Sequence, residues 1–259
     1  MIAAIDTSTN TASLALVQDG RLIAEMTWQA GQDHNRTLLP GLQQLVGLSG
    51  KKVGDITGVI VAIGPGSFNG LRVGVSAAKG LAFSLEVPLV GVSSLETEAY
   101  QHASAGLPVC PIFNAGRGEV ATAIFGWQGG TWARLADEHI TTPEELATSI
   151  TGKTLFCGEF LPVVAPRLRE LLGERAVLAS PLTSRRRAAW SRRSATIPWR
   201  MRFPPARSRP FCWTWRCRWW RGRKCSWPRR RMRKFPSGGR WMPTAIRPRI
   251  PRQHSRVCW

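Results

Sequence analysis

No Asp or Glu follows Glu174 in this chain of 259 residues. All sixteen acidic residues lie before position 184, against twelve of the thirty-six Lys and Arg, so residues 1–183 carry a balance of −4. Residues 184–259 hold the other twenty-four basic residues and carry +24. The overall charge of +20 therefore describes neither part, and it does not mark the whole chain as nucleic-acid-binding. Other absences narrow the chemistry. No Cys-x-x-Cys occurs, and Cys110 and Cys157 sit beside apolar residues, as small buried hydrophobes do. His34, His102, His139 and His254 form neither a His-Glu-x-x-His nor a His-x-x-x-His pattern, so no metal site built from protein ligands is expected. No Gly-x-Ser-x-Gly appears and no His-carboxylate pair neighbours Ser67 or Ser93-Ser94, which argues against a serine hydrolase. No apolar run reaches the roughly 18 residues that a membrane helix needs. The opening Met-Ile-Ala-Ala-Ile-Asp lacks a basic region before an apolar one, so the cytoplasm is the expected compartment.

Residues 1–183 follow a regular α/β grammar. Residues 2–5 are apolar and stop at the polar Asp6-Thr7-Ser8-Thr9-Asn10. Ala12, Leu14 and Leu16 then alternate with Ser13 and Ala15, a period of two, and Asp19-Gly20 separates this strand from the next, Arg21 to Trp28. Asp-Gly between such runs signals a hairpin, because both central residues take positive φ. Asp33-His34-Asn35 opens a helix with Leu38, Leu42, Leu45 and Val46 on one face. Val59–Ile63 reads as a buried strand, and a second helix carries Leu71, Val75, Ala78 and Leu81-Ala82 on one side. Pro88–Val92 is a strand, and Ser93 to Glu96 has capping-box spacing. The pattern then starts again. Strands are expected at Val109–Phe113, Val120–Phe125 and Trp132–Leu135, a helix from Thr142-Pro143, a strand at Thr154–Cys157, a helix over Val163–Leu172 and a strand at Ala176–Leu178. Two successive units of one order predict a duplicated α/β fold of two lobes, residues 1–104 and 105–183, the second incomplete.

Two motifs carry chemical alternatives. Asp6-Thr7-Ser8-Thr9, at the end of a strand and before a hairpin, is either an ordinary polar turn or a loop presenting an Asp and backbone N–H groups to a nucleotide phosphate. Gly64-Pro65-Gly66-Ser67-Phe68-Asn69-Gly70-Leu71-Arg72 lies between a buried strand and a helix. It lacks the Gly-Lys-Ser/Thr of a P-loop, and a tight turn whose glycines permit close packing competes with an anion-binding loop.

The block from Ile63 to Gly74, with Ala78-Lys79-Gly80-Leu81-Ala82 and Pro88–Glu96 after it, is similar to the TsaB (YeaZ) family over an unbroken stretch. Asp6-Thr7-Ser8-Thr9 and His34-Asn35-Arg36 before Leu38-Leu39-Pro40 match too. Arg117-Gly118-Glu119-Val120 resembles the family's Arg-Arg-Gly-Glu-Val-Tyr segment, with departures at Gly116 and Ala121. The likeness covers residues 1 to about 183 and implies an actin-like (ASKHA, RNase H-like) two-lobe fold. It further implies a non-catalytic subunit that supports TsaD in transferring a threonylcarbamoyl group to the adenosine beside the tRNA anticodon. TsaD carries a metal-binding His pair that this sequence lacks. The resemblance gives no intrinsic cofactor, ATP or ADP entering only in the complex, TsaE as a further partner, a homodimer when the chain is alone, and no membrane. It places the partner surface on the first two helices, about His34–Val46 and Leu71–Leu85, with His34, Leu38, Leu42, Leu71, Arg72, Val75, Ala78, Lys79 and Leu81 as candidate contacts. Gly74 and Gly80, with Ala77 and Ala78, would let helices approach closely. An ATP-using kinase or transferase of the same fold class is the alternative.

At Ser184 the grammar ends. The last 76 residues contain nine of the twelve Trp, half of the eighteen Pro and four of the six Cys, and no helical or strand period. A shifted reading frame in GC-rich DNA gives this composition, since Trp, Arg, Pro, Cys and Ser are enriched when Leu-Ala codons are read one base late. The segment is thus expected to be an out-of-frame, unpacked basic tail. An RNA-binding arm, with Arg on phosphates and Trp on bases, is its rival.

Overall fold

A computed structural model describes residues 1–180. The expectation for residues 184–259 lies outside the described residues.

Period-two alternation produces the first sheet. Strands β1 (Ile2–Asp6), β2 (Thr11–Gln18) and β3 (Arg21–Gln29) pair antiparallel in a meander. Asp19 and Gly20, at φ 51° and 74°, make the hairpin that their residue types predicted. Helix α1 (His34–Leu48) leads to β4 (Gly58–Ala62), which lies parallel to β1. Helix α2 (Phe68–Ser84) then leads to β5 (Leu89–Val92), parallel to β4. The sheet order is β3-β2-β1-β4-β5. Ala3, Ile5, Leu14, Leu16, Val59 and Val61 project from one face of this sheet onto Leu38, Leu42, Leu45 and Val46 of α1 and Ala78 and Ala82 of α2. The opposite face carries the smaller cluster Ala4, Ala15, Ile60 and Ala62.

The second half repeats the order. Strands β6 (Val109–Gly116), β7 (Glu119–Gln128) and β8 (Thr131–Thr141) form an antiparallel meander, α4 (Pro143–Ser149) leads to β9 (Thr154–Cys157), and α5 (Leu161–Leu172) leads to β10 (Ala176–Leu178). The order β10-β9-β6-β7-β8 is that of the first sheet, element for element. Two mixed sheets of one topology in succession are the duplicated actin-like architecture. Helix α4 starts at a complete capping box: Thr142 Oγ1 accepts from Glu145 N at 3.2 Å, and the Glu145 carboxylate accepts from Thr142 N. Strand β8 runs six residues past the expected Leu135. It is an edge strand, so Asp137 and Glu138 are tolerated where a central strand would reject them.

Helix α3 (Ser94–Tyr100) follows β5, capped by Ser93 as its spacing predicted, with Ser93 Oγ accepting from Glu96 N at 3.4 Å. By its place in the chain it falls within the expected first lobe, residues 1–104. Its buried side chains, Leu95 and Ala99, instead join Val109, Phe113, Ala121 and Phe125 on the second sheet. The opposite face of that sheet packs Cys110, Ile112 and Phe156 against Leu146, Leu161, Val164 and Leu168 of α4 and α5. The second sheet is therefore covered by helices on both faces.

Candidate functional site

The turn after β1 is held by a set of buried polar hydrogen bonds. Asp6 Oδ1 accepts from Ser8 N at 2.8 Å and from Ser8 Oγ at 2.7 Å. Thr7 Oγ1 donates to Gly70 O at 2.7 Å, and Ser67 N donates to Ser8 O at 2.7 Å. Ser67 caps α2 by accepting from Gly70 N at 3.3 Å. The glycines explain the contact. A Cβ on Gly66 would overlap Ser8 O, one on Gly70 would overlap Thr7 O, and one on Gly74 would overlap Thr7 Oγ1. Three glycines four residues apart thus open one strip of the α2 entry for the turn. Gly74 is used against a strand-end turn of the same chain, which corrects its assignment to helix-to-helix approach. Gly80 has nothing within 4 Å of its added Cβ and faces open space.

This packing bears on the phosphate-facing reading of Asp6, Thr7, Ser8 and Thr9. All four are buried, and Asp6 and Ser8 are 0 % exposed. The turn reaches the glycine block rather than solvent. His34, the first residue of α1, closes the cluster: its ring lies beside Gly70 and is buried, with the Thr9 backbone and the Asp6 carboxylate as its polar neighbours. Burial pushes its pKa below 6.5, partly opposed by the Thr9 backbone and the Asp6 carboxylate.

A pH dependence follows from His34. In the unfolded chain its imidazole titrates near 6.5, whereas the folded chain resists its protonation. The stability it contributes is complete above that value and is lost as pH falls from 6.5 toward the lower folded pKa. The urea midpoint should therefore drop between about pH 7.5 and pH 5.5, and His34→Gln should shallow that slope. Equal slopes for both chains would remove His34 as the cause.

The structure divides the nine candidate partner contacts. His34, Leu38, Leu42 and Ala78 are buried in their own lobe, on the core-facing side of the two helices that the resemblance implies for the partner. Leu71, Val75 and Leu81 are half-buried, Val75 and Leu81 packing against the core, and Arg72 and Lys79 are exposed. What the sequence reading missed is the opposite stripe of α2. Phe68 is 72 % and Phe83 87 % exposed, and with Arg72 and Lys79 they follow helical spacing. The Arg72 guanidinium lies over the Phe68 ring, 5.3 Å from its centroid. Helix α1, packed beside α2, exposes Leu39 and Leu48. Phe residues outside the inward period were the available signal.

A second polar group was also missed. Glu98, in the last turn of α3, and His102, two residues past it, meet Cys157 at the end of β9, with one ligand atom from each lying within 4.8 Å of the others. The expectation of no protein-ligand metal set rested on local motifs, and this group joins residues 55 or more positions apart, with only the Glu98-x-x-x-His102 spacing visible locally.

Comparison with known proteins places this geometry. Residues 28–156 match the family model described as TsaD: tRNA N6-adenosine threonylcarbamoyltransferase. The tRNA threonylcarbamoyladenosine biosynthesis protein TsaB of Bacillus subtilis is 31 % identical over 182 residues, covering 69 % of this chain and 80 % of that protein. Its Escherichia coli counterpart is 35 % identical over 146 residues, covering 55 % of this chain and 63 % of that one. The crystal structure of YeaZ from Pseudomonas aeruginosa superposes with a TM-score of 0.63 at 25 % identity, over 74 % of this chain and 90 % of that one. With four-fifths of a TsaB matched in sequence and the same two-sheet fold, the chain belongs to the TsaB (YeaZ) family of tRNA threonylcarbamoyladenosine biosynthesis proteins.

Proposed function

We propose that this chain is a non-catalytic subunit that binds TsaD and supports threonylcarbamoyl transfer to the adenosine beside the tRNA anticodon. The observation that carries the reading is the outer face of α2, where Phe68 and Phe83 stand in solvent beside Arg72 and Lys79. Large apolar side chains aligned on one exposed helix face, with cations between them, suit a protein partner. The absence of catalytic work in the chain itself is supported by the Asp6–Thr9 turn, which is buried and bonded to the glycine block rather than aimed at a ligand. On this reading a homodimer forms through the same face when TsaD is absent, TsaE joins the pair, tRNA is engaged through the complex, and ATP or ADP binds only there.

The test is nucleoside analysis of tRNA incubated with activated threonylcarbamoyl donor. The chain alone should leave the adenosine unmodified, and TsaD should turn over measurably faster with the chain than without it. Modification by the isolated chain, or no gain on mixing, would overturn the proposal. ATP hydrolysis by the isolated chain would favour the kinase or transferase alternative.

A further inference from the structure

Glu98 lies in the last turn of α3 and His102 two residues past its end, and the turn there brings their ligand atoms within 4.8 Å of one another. Helix α3 lies against the second sheet, where β9 ends at Cys157. Glu98 is 1 % exposed and Cys157 0 %. His102 is half-buried as a residue, yet its Nε2 is shut off from solvent and has no hydrogen-bond partner among the described residues. A carboxylate, an imidazole and a thiol therefore converge at a buried point.

Three atoms no more than 4.8 Å apart have a common point no more than about 2.8 Å from each. Zinc bonds sulfur at about 2.3 Å and nitrogen or carboxylate oxygen at about 2.0–2.2 Å, so each ligand would move by at most about 0.5–0.8 Å, within the reach of side-chain rotations. Charge points the same way. With a metal bound, the carboxylate and the thiolate that Cys157 becomes would together match the charge of a divalent cation. The donor set selects the metal class: a thiolate and an imidazole are poor ligands for calcium or magnesium and good ones for zinc. Gln101 Nε2 donates to Glu98 Oε2 at 3.3 Å, the kind of outer hydrogen bond that orients a ligating carboxylate. Burial also lowers the His102 pKa, keeping the imidazole in its neutral, ligating form.

We propose that Glu98, His102 and Cys157 form a binding site for a divalent cation of the zinc class. On binding, the Cys157 thiol gives its proton to solvent and the metal joins α3 to the end of β9. Because α3 directly follows the last strand of the first sheet yet packs on the second, the cation would pin the connection between the lobes to the second lobe.

The experiment uses the full chain with Cys212, Cys217, Cys225 and Cys258 replaced by Ser, since those thiols would bind metal on their own account. Under reducing conditions, titration with Co²⁺ should saturate near one equivalent. It should give a thiolate-to-cobalt charge-transfer band in the near ultraviolet and visible bands of tetrahedral intensity, which Zn²⁺ displaces. Cys157→Ser in that background should lose the charge-transfer band, and Cys110→Ser should keep it. His102→Gln should weaken binding by about tenfold or more and abolish the rise in Tm that Zn²⁺ gives the parent. No cobalt bound by the parent, or a band that survives Cys157→Ser, would overturn the site and establish a metal-free buried triad. If circular dichroism shows Cys157→Ser unfolded, His102→Gln decides: an unchanged Zn²⁺-dependent Tm rise overturns the proposal, and its loss supports it.

Discussion

Gly70→Ala is expected to destabilise the chain by about 3 kcal/mol, and Gly80→Ala, ten residues further along the same helix, to stabilise it by about 0.5–1 kcal/mol. Helix propensity alone gives both changes the same favourable sign, since alanine replaces glycine inside α2. The surroundings reverse one of them. The new methyl on Gly70 would overlap the carbonyl oxygen of Thr7, which belongs to the backbone of the β1–β2 turn and cannot swing away, and it would also press on the buried His34 ring. Displacing that turn strains the Thr7–Gly70 and Ser67–Ser8 hydrogen bonds together. At Gly80 the methyl meets nothing within 4 Å. For a body of this size about 3 kcal/mol corresponds to a fall in Tm of about 6–12 °C, readable by circular dichroism. Gly74→Ala separates the cause further. Its methyl would meet Thr7 Oγ1, a side-chain atom, so combining it with Thr7→Ala should recover part of the loss in a double-mutant cycle. Additive losses would show that the glycines are not held by the turn.

These glycines also mark where the sequence stops being legible. The spacing of Gly66, Gly70 and Gly74 is visible as a strip, but the strip's partner is Thr7 and Ser8, some sixty residues earlier, and nothing local names it. Local signals performed well where the cause was local. Asp19-Gly20 turns its hairpin with positive φ, Ser93 and Thr142 cap the helices expected to follow them, and the period of two in β2 sends Leu14 and Leu16 to one core cluster and Ala15 to the other, with both faces buried. The repeat of one strand–helix order was enough to predict two lobes of one topology. What failed depended on which side of an element meets another. The resemblance points to two helices but not to a side of either, and Leu38, Leu42 and Ala78 lie on the apolar stripe that the lobe uses for its own core. Helix α3 follows the first sheet in sequence and serves the second in packing, a choice made by the shape of two assembled sheets. For the same reason Cys157 read as a plain buried hydrophobe until β9 carried it to His102 and Glu98.

Phe83→Asp is expected to weaken pairing with TsaD by about 100-fold or more while leaving the fold of the chain unchanged. Phe83 is 87 % exposed, so its ring contributes almost nothing to the lobe's core, and aspartate in its place is solvated in the free chain. In the complex, the same carboxylate would lose its water at a point where Phe83 offers a large apolar side chain to the partner. Truncation of a central interface aromatic alone costs on the order of 2 kcal/mol or more, and an unpaired charge adds to that. Val75→Asp is a poorer probe: Val75 packs against the cluster beneath α2, so its replacement should lower stability and pairing together. Lys79→Glu separates a third contribution. Lys79 is exposed, and reversing a charge at a rim should act mainly on the association rate and its salt dependence. Size-exclusion chromatography and surface plasmon resonance on the three variants, with circular dichroism as the control for folding, distinguish these patterns. A Phe83→Asp chain that pairs with TsaD within about threefold of the parent, a difference of well under 1 kcal/mol, would move the docking surface off the outer face of α2.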